Sequence, residues 1–116
     1  MIIGVSGLPK SGKTTFINKF LDKLDVNYMI LDTKQKTIEN ILQNLKSQKY
    51  DLIIIEGHKL FLEKNLDKVI DLKLYIYNNN IDKLDLLDRA NKSKSDLIIP
   101  ISENYNASID ILINHI

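Results

Sequence analysis

Residues 7–14 of this 116-residue chain read Gly7-Leu8-Pro9-Lys10-Ser11-Gly12-Lys13-Thr14, and they contain two of its four glycines. A third glycine, Gly4, lies just upstream of this stretch. Glycine loses more conformational freedom on folding than any other residue, so a cluster of glycines is costly in regular structure. The cluster indicates that the backbone here turns where a side chain would clash, or that it comes close to a ligand.

The residues on either side of this stretch predict a strand before it and a helix after it. Ile2, Ile3 and Val5 form a short apolar run around Gly4. After Lys13, apolar residues recur at the three- and four-residue spacing of an amphipathic helix, at Phe16, Ile17, Phe20, Leu21 and Leu24. The stretch is therefore a loop that joins the end of a strand to the start of a helix.

A glycine-rich loop of the form G-x-x-x-x-G-K-[ST] in this setting, the Walker A pattern, predicts phosphate binding. Its backbone N–H groups and the helix N-terminus converge on an anion. Lys13 can reach the β- and γ-phosphates of a nucleoside triphosphate, and the hydroxyl of Thr14 can ligate Mg²⁺. The alternative is a glycine turn that precedes a helix by chance, and the strand before it argues against that interpretation.

Further apolar runs alternate with segments of helical spacing along the rest of the chain. The apolar runs span residues 28–31, 52–55, 72–77 and 97–99. Helical spacing covers residues 38–45, 81–90, 109–116 and, more weakly, 59–70. Most of the runs are rich in isoleucine and leucine, as in parallel strands that are buried on both faces. We therefore expect one α/β domain over residues 1–116, with a five-stranded parallel sheet between two layers of helices.

The composition argues against several classes of function. The net charge is +1 and the lysines are interleaved with acidic residues, so nothing indicates a nucleic-acid-binding face. The chain has no cysteine, which excludes disulfides, thiolate metal sites and cysteine nucleophiles. No apolar run approaches the roughly 18 residues of a membrane span, and the N-terminus lacks the basic start of a signal peptide. We expect a cytoplasmic protein that contacts neither membranes nor nucleic acid.

Two carboxylates follow apolar runs at points where the predicted strands end. Glu56 comes directly after the run 52–55, and Asp32 comes directly after the run 28–31. Open parallel sheets bind ligands beyond the carboxyl ends of their strands. Glu56 is therefore a candidate Mg²⁺ ligand and Asp32 a candidate general base. The alternatives are a strand that simply ends in a polar turn at Gly57, and an aspartate that caps a turn or helix.

Other polar and aromatic residues have simpler interpretations. The polar segment 91–96 is the best candidate for a mobile loop. His58 and His115 are interpreted as solvated histidines, and Tyr75 and Tyr77 as residues that pack rather than bind.

Several blocks of the sequence resemble the uridine kinase and phosphoribulokinase group of P-loop small-molecule kinases. Besides the glycine-rich loop, the similar blocks are YMILDT (28–33), DLIIIEGHKLF (51–61), DLKLYIYNNNIDKL (71–84) and SDLIIPISENYNASIDILINHI (95–116). The resemblance implies the P-loop NTPase fold, a three-layer α/β/α sandwich. It also implies transfer of the γ-phosphoryl group of Mg²⁺-ATP to a hydroxyl of a small metabolite, such as a nucleoside.

The resemblance further implies roles for individual residues. Asp32 would be the general base, and Thr14 with Glu56 would hold Mg²⁺. Lys13 would supply charge to the reacting phosphates, and Arg89 would act as a partial lid over them. The loop from Ser102 to Asn106 would lie beside the adenine. The ATP-binding residues would be Gly7, Leu8, Pro9, Lys10, Ser11, Gly12, Lys13, Thr14, Thr15 and Asn106.

Two regions that are longer in members of that family are short in this chain. The region between the second and third strands, which holds the phosphate acceptor in the family, is reduced to residues 33–50. The arginine-rich lid is represented by Arg89, the single arginine, followed by Lys92 and Lys94. An alternative is therefore a degenerate nucleotide-binding module that does not turn over a small molecule.

A second alternative is a GTP-binding protein. The block DLIIIEGHK (51–59) also resembles the third strand of the adaptor proteins of molybdenum-cofactor biosynthesis. Guanine recognition by N-K-x-D would require an aspartate where Lys94 stands in the stretch 91–94, which argues against this alternative. The sequence leaves open whether a homo-oligomer completes the site.

Overall fold

The structure is a computed structural model, and it describes residues 1–47, 49–78, 80, 83–102 and 105–115. The strands are β1 (Ile2–Ser6), β2 (Tyr28–Asp32), β3 (Leu52–Gly57), β4 (Leu72–Tyr77) and β5 (Leu97–Pro100). The helices are α1 (Lys13–Asp22), α2 (Ile38–Asn44), α3 (Lys64–Asp67), α4 (Leu86–Ser93) and α5 (Asn106–Ile113). A single turn of 3₁₀ helix spans Leu60–Leu62.

The strands form one five-stranded sheet in the order β2-β3-β1-β4-β5, and every neighbouring pair is parallel. The chain leaves β1 to begin α1, and β1 lies between β3 and β4. The register pairs Asp32 with Glu56 across β2 and β3, and Glu56 with Val5 across β3 and β1. The glycine-rich loop of residues 7–14 and both candidate carboxylates therefore emerge at the same edge of the sheet.

Each face of the sheet packs against its own apolar cluster. On one face, the α1 residues Phe16, Ile17 and Phe20 pack against strand residues and against Ile109 and Leu112 of α5. The other face is covered by residues of α2, the 3₁₀ turn and α3, among them Ile41, Phe61 and Leu66. Alternate residues of β3 serve the two clusters, since Ile54 packs on the first and its neighbours Ile53 and Ile55 on the second. This alternation explains the almost wholly apolar run of β3.

The sheet and most of the helices agree with the sequence-based predictions. The prediction for β4, residues 72–77, matches the observed strand, and the other strands extend the predicted runs by one or two residues. The weak helical spacing over residues 59–70 does not correspond to a single helix. The segment divides into the 3₁₀ turn and the short α3. Lys59, which has a left-handed backbone with φ 56°, and Glu63, which is extended, separate these pieces from each other and from β3.

The helix predicted over residues 81–90 begins later in the structure, where α4 spans Leu86–Ser93. It begins at Leu86 because Asp85 forms a reciprocal capping box with Asp88. Leu87, one of the apolar residues at helical spacing, is 57% exposed, whereas the polar residues Asp88 and Asn91 are buried. Residues 81 and 82, at the start of the predicted helix, lie outside the described residues.

The expectation of a loop over residues 91–96 was also wrong in part. Residues 91–93 continue α4, and Asn91 is 1% exposed.

Within the part of the chain that the structure describes, no helix is long and apolar enough to cross a membrane.

Candidate functional site

The glycines of the loop between β1 and α1 allow backbone conformations that other residues would strain. Gly7 has φ 155° and Gly12 has φ 102°, both at positive values that side chains disfavour. A Cβ atom on Gly7 would lie 2.7 Å from the carbonyl oxygen of Ile76 and 2.7 Å from Oγ of Ser11. The loop closes on itself, since the N–H of Ser11 donates to the carbonyl of Leu8 at 3.1 Å. We refer to residues 7–14 as the phosphate loop.

Lys13 is held inside the phosphate loop by the loop's own carbonyl groups. Its Nζ donates to the oxygen of Gly7 at 3.0 Å and to the oxygen of Leu8 at 2.8 Å. The side chain is buried, and burial lowers its pKa, although the neighbouring Glu56 acts in the opposite direction. Within the described ranges, Lys13 forms no ion pair with a carboxylate. Among the described residues, the ammonium group is therefore a desolvated cation without a direct counter-ion.

Thr14 and Glu56 come together at the start of α1 and the end of β3. The hydroxyl Oγ1 of Thr14 donates to Oε1 of Glu56 at 2.8 Å. A hydroxyl and a carboxylate are the oxygen ligands that Mg²⁺ accepts, and Mg²⁺ usually takes its other ligands from phosphates and water. The residues therefore fit a nucleotide-bound magnesium ion. No group of three or more acidic, histidine or cysteine side chains elsewhere in the described residues offers a metal site.

The structure confirms that Asp32, at the end of β2, caps a turn, and its role as a general base stays a prediction. Its Oδ1 accepts a hydrogen bond from the backbone N–H of Lys34 at 2.9 Å, so the side chain does cap the turn that follows β2. The same residue lines the cavity in front of the phosphate loop. Its second oxygen, Oδ2, accepts no hydrogen bond from the described residues, which leaves one carboxylate oxygen able to accept a proton.

A cavity of about 340 Å³ joins these groups, a volume in the range of small-ligand pockets. Its lining brings together seven residues that the sequence singled out, namely Lys10, Gly12, Lys13, Thr14, Thr15, Asp32 and Glu56. Gly57 also lines it, together with Lys34 and His58, which the sequence interpretation did not assign. Nothing in the local pattern around Lys34 distinguishes it from the other surface lysines.

His58 is tied to α4 rather than free in solvent, so its interpretation as a solvated histidine was wrong. Its Nε2 lies 2.8 Å from Oδ1 of Asp88, a side chain that is 8% exposed. Because an ionised carboxylate only accepts, Nε2 carries the hydrogen of this bond. The pair fixes the imidazole at the wall of the cavity.

A buried polar network fixes α4 to the ends of β1 and β3. Nδ2 of Asn91 donates to Oγ of Ser6 at 2.9 Å, and Oδ1 of Asn91 accepts from the N–H of Phe61 at 2.8 Å. Ser6 in turn donates to the carbonyl of Gly57 at 2.7 Å. The network lies directly behind the phosphate loop, because Ser6 immediately precedes Gly7.

The loop between β5 and α5 packs against the phosphate loop from the other side. Tyr105 is buried with φ 57°, and its ring meets Phe16 edge-on with centroids 5.2 Å apart. Its hydroxyl would lie 3.2 Å from a Cβ atom on Gly12, and Ile101 is also close to that position. Gly12, the residue immediately before α1, is therefore bordered by the loop that the resemblance associates with adenine.

Some predicted site residues do not line the cavity. Arg89 is exposed on α4, and Asn106 is the first residue of α5, where its Oδ1 accepts a hydrogen bond from Nζ of Lys23 at 2.7 Å. Gly7, Leu8, Pro9 and Ser11 belong to the phosphate loop without lining the cavity. Residues 103 and 104, part of the predicted adenine loop, lie outside the described residues. The binding and catalytic roles of all these residues stay predictions.

No protein-family model and no curated protein sequence matches this chain. Several solved structures are similar to this chain in fold. The crystal structure of TT1252 from Thermus thermophilus has a TM-score of 0.65 and 10% identity, and the match covers 100% of this chain and 97% of that chain. The shikimate kinase from Acinetobacter baumannii, solved in complex with shikimate, has a TM-score of 0.61 and 12% identity over 98% and 91% of the two chains. The shikimate kinase from Bacteroides thetaiotaomicron has a TM-score of 0.56 and 13% identity over 99% and 97%.

These similarities concern the fold, because the sequence identities are low. The five-stranded parallel sheet, flanked by helices and carrying the phosphate loop after β1, is the P-loop NTPase fold, a three-layer α/β/α sandwich. This establishes the expected fold class. The resemblance to uridine kinases in particular stays a prediction.

Proposed function

We propose that this protein is a P-loop kinase that transfers the γ-phosphoryl group of Mg²⁺-ATP to a hydroxyl group of a small metabolite. One observation carries the proposal. Lys13, the Thr14–Glu56 pair and Asp32 line one cavity of about 340 Å³. A phosphate-binding cation, a pair of magnesium ligands and a carboxylate base are the groups that phosphoryl transfer requires.

Each group has a defined part in the reaction. The acceptor oxygen forms a bond to the γ-phosphorus, and the bond from that phosphorus to the β,γ-bridging oxygen breaks, so its electron pair leaves with ADP. The hydroxyl proton passes to the carboxylate of Asp32. The phosphate loop and Lys13 hold the β- and γ-phosphates and offset their charge. When bound, Mg²⁺ neutralises phosphate charge, and Thr14 and Glu56 are the residues that would hold it.

The proposal also specifies which chemical classes of acceptor should be tested. A nucleoside is the first acceptor to test, because the sequence resembles uridine kinases. Hydroxy acids are the second class, because the fold resembles that of a shikimate kinase that binds shikimate. Specificity resides in contacts to the acceptor, and only residues 33–50 lie between β2 and β3 to provide them on that side.

The test separates binding from transfer. Calorimetry with Mg²⁺-ATP and Mg²⁺-GTP measures binding, and transfer of the labelled γ-phosphoryl group to a panel of nucleosides and hydroxy acids measures turnover. We expect binding of ATP and transfer to at least one panel member. The Asp32→Asn variant is the matched control, since it keeps the size of the side chain and the turn but cannot take a proton. It should bind ATP normally and lose transfer.

A degenerate nucleotide-binding module is the second candidate, and the short segment between β2 and β3 favours it. Most of residues 33–50 is used by the turn after Asp32 and by α2. Tight ATP binding without transfer to any acceptor would support this candidate over the kinase. Preference for GTP over ATP in competition would instead favour the adaptor-like alternative.

A further inference from the structure

Lys34 is a cation at the cavity that the residue roles described so far do not use. It lines the cavity, and its backbone N–H is fixed by Oδ1 of Asp32 at 2.9 Å. In the described part of the chain, its ammonium group forms neither a hydrogen bond nor an ion pair with another side chain. The residue is thus anchored through its backbone beside the candidate base, while its side chain is exposed and its charged group has no partner among the described residues.

Lys34 and Lys13, the lysine of the phosphate loop, are both positively charged and line the same cavity. Two cations that face one cavity repel each other, and an anion bound between them relieves that repulsion. The pair Lys13 and Lys34 therefore favours a ligand whose negative charge reaches both.

Arg89, the other cation proposed for the reacting phosphates, is placed differently. It is exposed on α4 and does not line the cavity. The residues of α4 that turn inward are Asp88 and Asn91, which are already bonded to His58, Ser6 and Phe61. An arginine on the outer side of a helix fixed in this way is poorly placed to close over the cavity.

We propose that Lys34 is the cation that contacts the γ-phosphoryl group as it is transferred, in the role that lid arginines fill in related kinases. This inference rests on the proposed function. Lys34 donates a charge-assisted hydrogen bond to a non-bridging oxygen of the γ-phosphate, and neither gains nor loses a proton in the step. The proton of the acceptor still passes to Asp32, and the bridging oxygen still leaves with ADP. Asp32 and Lys34 thereby act on opposite partners of the same bond, one on the acceptor and one on the phosphoryl group.

The test compares ligands that differ only by the γ-phosphate, and it requires no knowledge of the acceptor. Calorimetry measures Mg²⁺-ADP and the non-hydrolysable analogue Mg²⁺-AMP-PNP on the wild-type chain and on Lys34→Met. A hydrogen bond to a charged group corresponds to about a tenfold to hundredfold change in affinity. We expect Lys34→Met to weaken AMP-PNP by at least about tenfold while ADP stays within about twofold. Lys34→Arg, which keeps the charge, should restore most of the difference.

Lys36→Met is the matched control, because Lys36 lies on the same turn, is exposed and does not line the cavity. It should leave both affinities unchanged. Circular dichroism and thermal unfolding of each variant check that the fold is retained.

Four results would overturn the assignment: equal weakening of both ligands by Lys34→Met, no weakening of either, an equal effect of Lys36→Met, or selective weakening by Arg89→Met alone. Failure of the wild-type chain to bind either nucleotide would instead refute the proposed function itself, together with this inference.

Discussion

In the proposed function Lys13 binds phosphate and fills little apolar surface, so its replacement should separate binding from folding. Lys13→Met keeps the length of the side chain and removes the ammonium group, whose partners are the carbonyl groups of Gly7 and Leu8. We expect affinity for Mg²⁺-ATP to fall by about a hundredfold or more, as expected for loss of a desolvated charge–phosphate contact. Calorimetry measures the loss. Wild-type affinity in this variant would contradict the site assignment.

The lowered pKa of Lys13 also predicts how stability depends on pH without ligand. Its pKa in the folded protein lies below the usual 10.5, so the unfolded chain binds the proton more readily. Since the unfolded state then holds more protons between the two pKa values, stability rises as pH rises through that interval, and the cost of the buried charge is fully present below it. As the pH approaches 10.5, we expect the free energy of unfolding of the wild-type protein to increase relative to that of Lys13→Met. Parallel pH profiles for the two proteins would refute the inferred desolvation.

Gly7 occupies a position that no other residue fits without strain. In Gly7→Ala the new Cβ would lie 2.7 Å from the backbone oxygen of Ile76, at a positive φ. Strain of this type costs about 1–3 kcal/mol, so we expect a lower midpoint of urea unfolding as well as weaker nucleotide binding. The double variant with Ser11→Ala removes the hydroxyl that the Cβ would also meet, but not the carbonyl. Full rescue by the second substitution would show that the backbone contact is unimportant.

At the scale of secondary-structure elements, α4 is held by polar contacts and not by an apolar face. Asn91→Ala would leave the N–H of Phe61 buried without its acceptor and would remove the donor to Ser6. Loss of a buried hydrogen-bond partner costs about 1–3 kcal/mol, so we expect destabilisation of about 2 kcal/mol in urea unfolding. Leu87→Ala, on the exposed side of the same helix, should change stability by less than about 0.5 kcal/mol. The reverse order of the two effects would mean that α4 docks through its leucines.

The same helix shows which parts of the structure the sequence could predict. The strands and α1 follow from local sequence, because the strands form short apolar runs and α1 buries apolar side chains at helical spacing. The buried face of α4 could not be found in this way, since Asp88 and Asn91 are buried by partners about 30 and 85 residues away in the chain.

The candidate site likewise contains residues that local sequence could predict and residues that it could not. The phosphate loop is a local motif and was predicted from its spacing, whereas Lys34 and His58 reach the cavity through the pairing of strands and the docking of α4. No local pattern marks such residues.

At the scale of the whole molecule, nucleotide binding should be visible as stabilisation of the entire fold. The phosphate loop lies against β4 at Gly7 and against the loop between β5 and α5 at Gly12, and Glu56 on β3 lies between β1 and β2 in the sheet. A ligand at a hundred times its dissociation constant adds about 2.7 kcal/mol to the free energy of unfolding. For a chain of this size that corresponds to an increase in melting temperature of about 10 °C, measurable by scanning calorimetry.

The magnesium dependence of this stabilisation tests Glu56 separately from the loop. If Thr14 and Glu56 hold the ion, chelation with EDTA should remove most of the stabilisation by ATP, and Glu56→Gln should reduce the difference between ATP with and without Mg²⁺. The glutamine keeps an oxygen that can accept the Thr14 hydroxyl, so the fold without ligand should melt within a few degrees of wild type, as for other isosteric changes at partly exposed sites. Equal stabilisation of this variant and the wild-type chain by Mg²⁺-ATP over ATP alone would remove Glu56 from the metal site. The phosphate loop would then be the part of the sheet edge that binds the nucleotide, and Mg²⁺ would reach the protein through Thr14 and water.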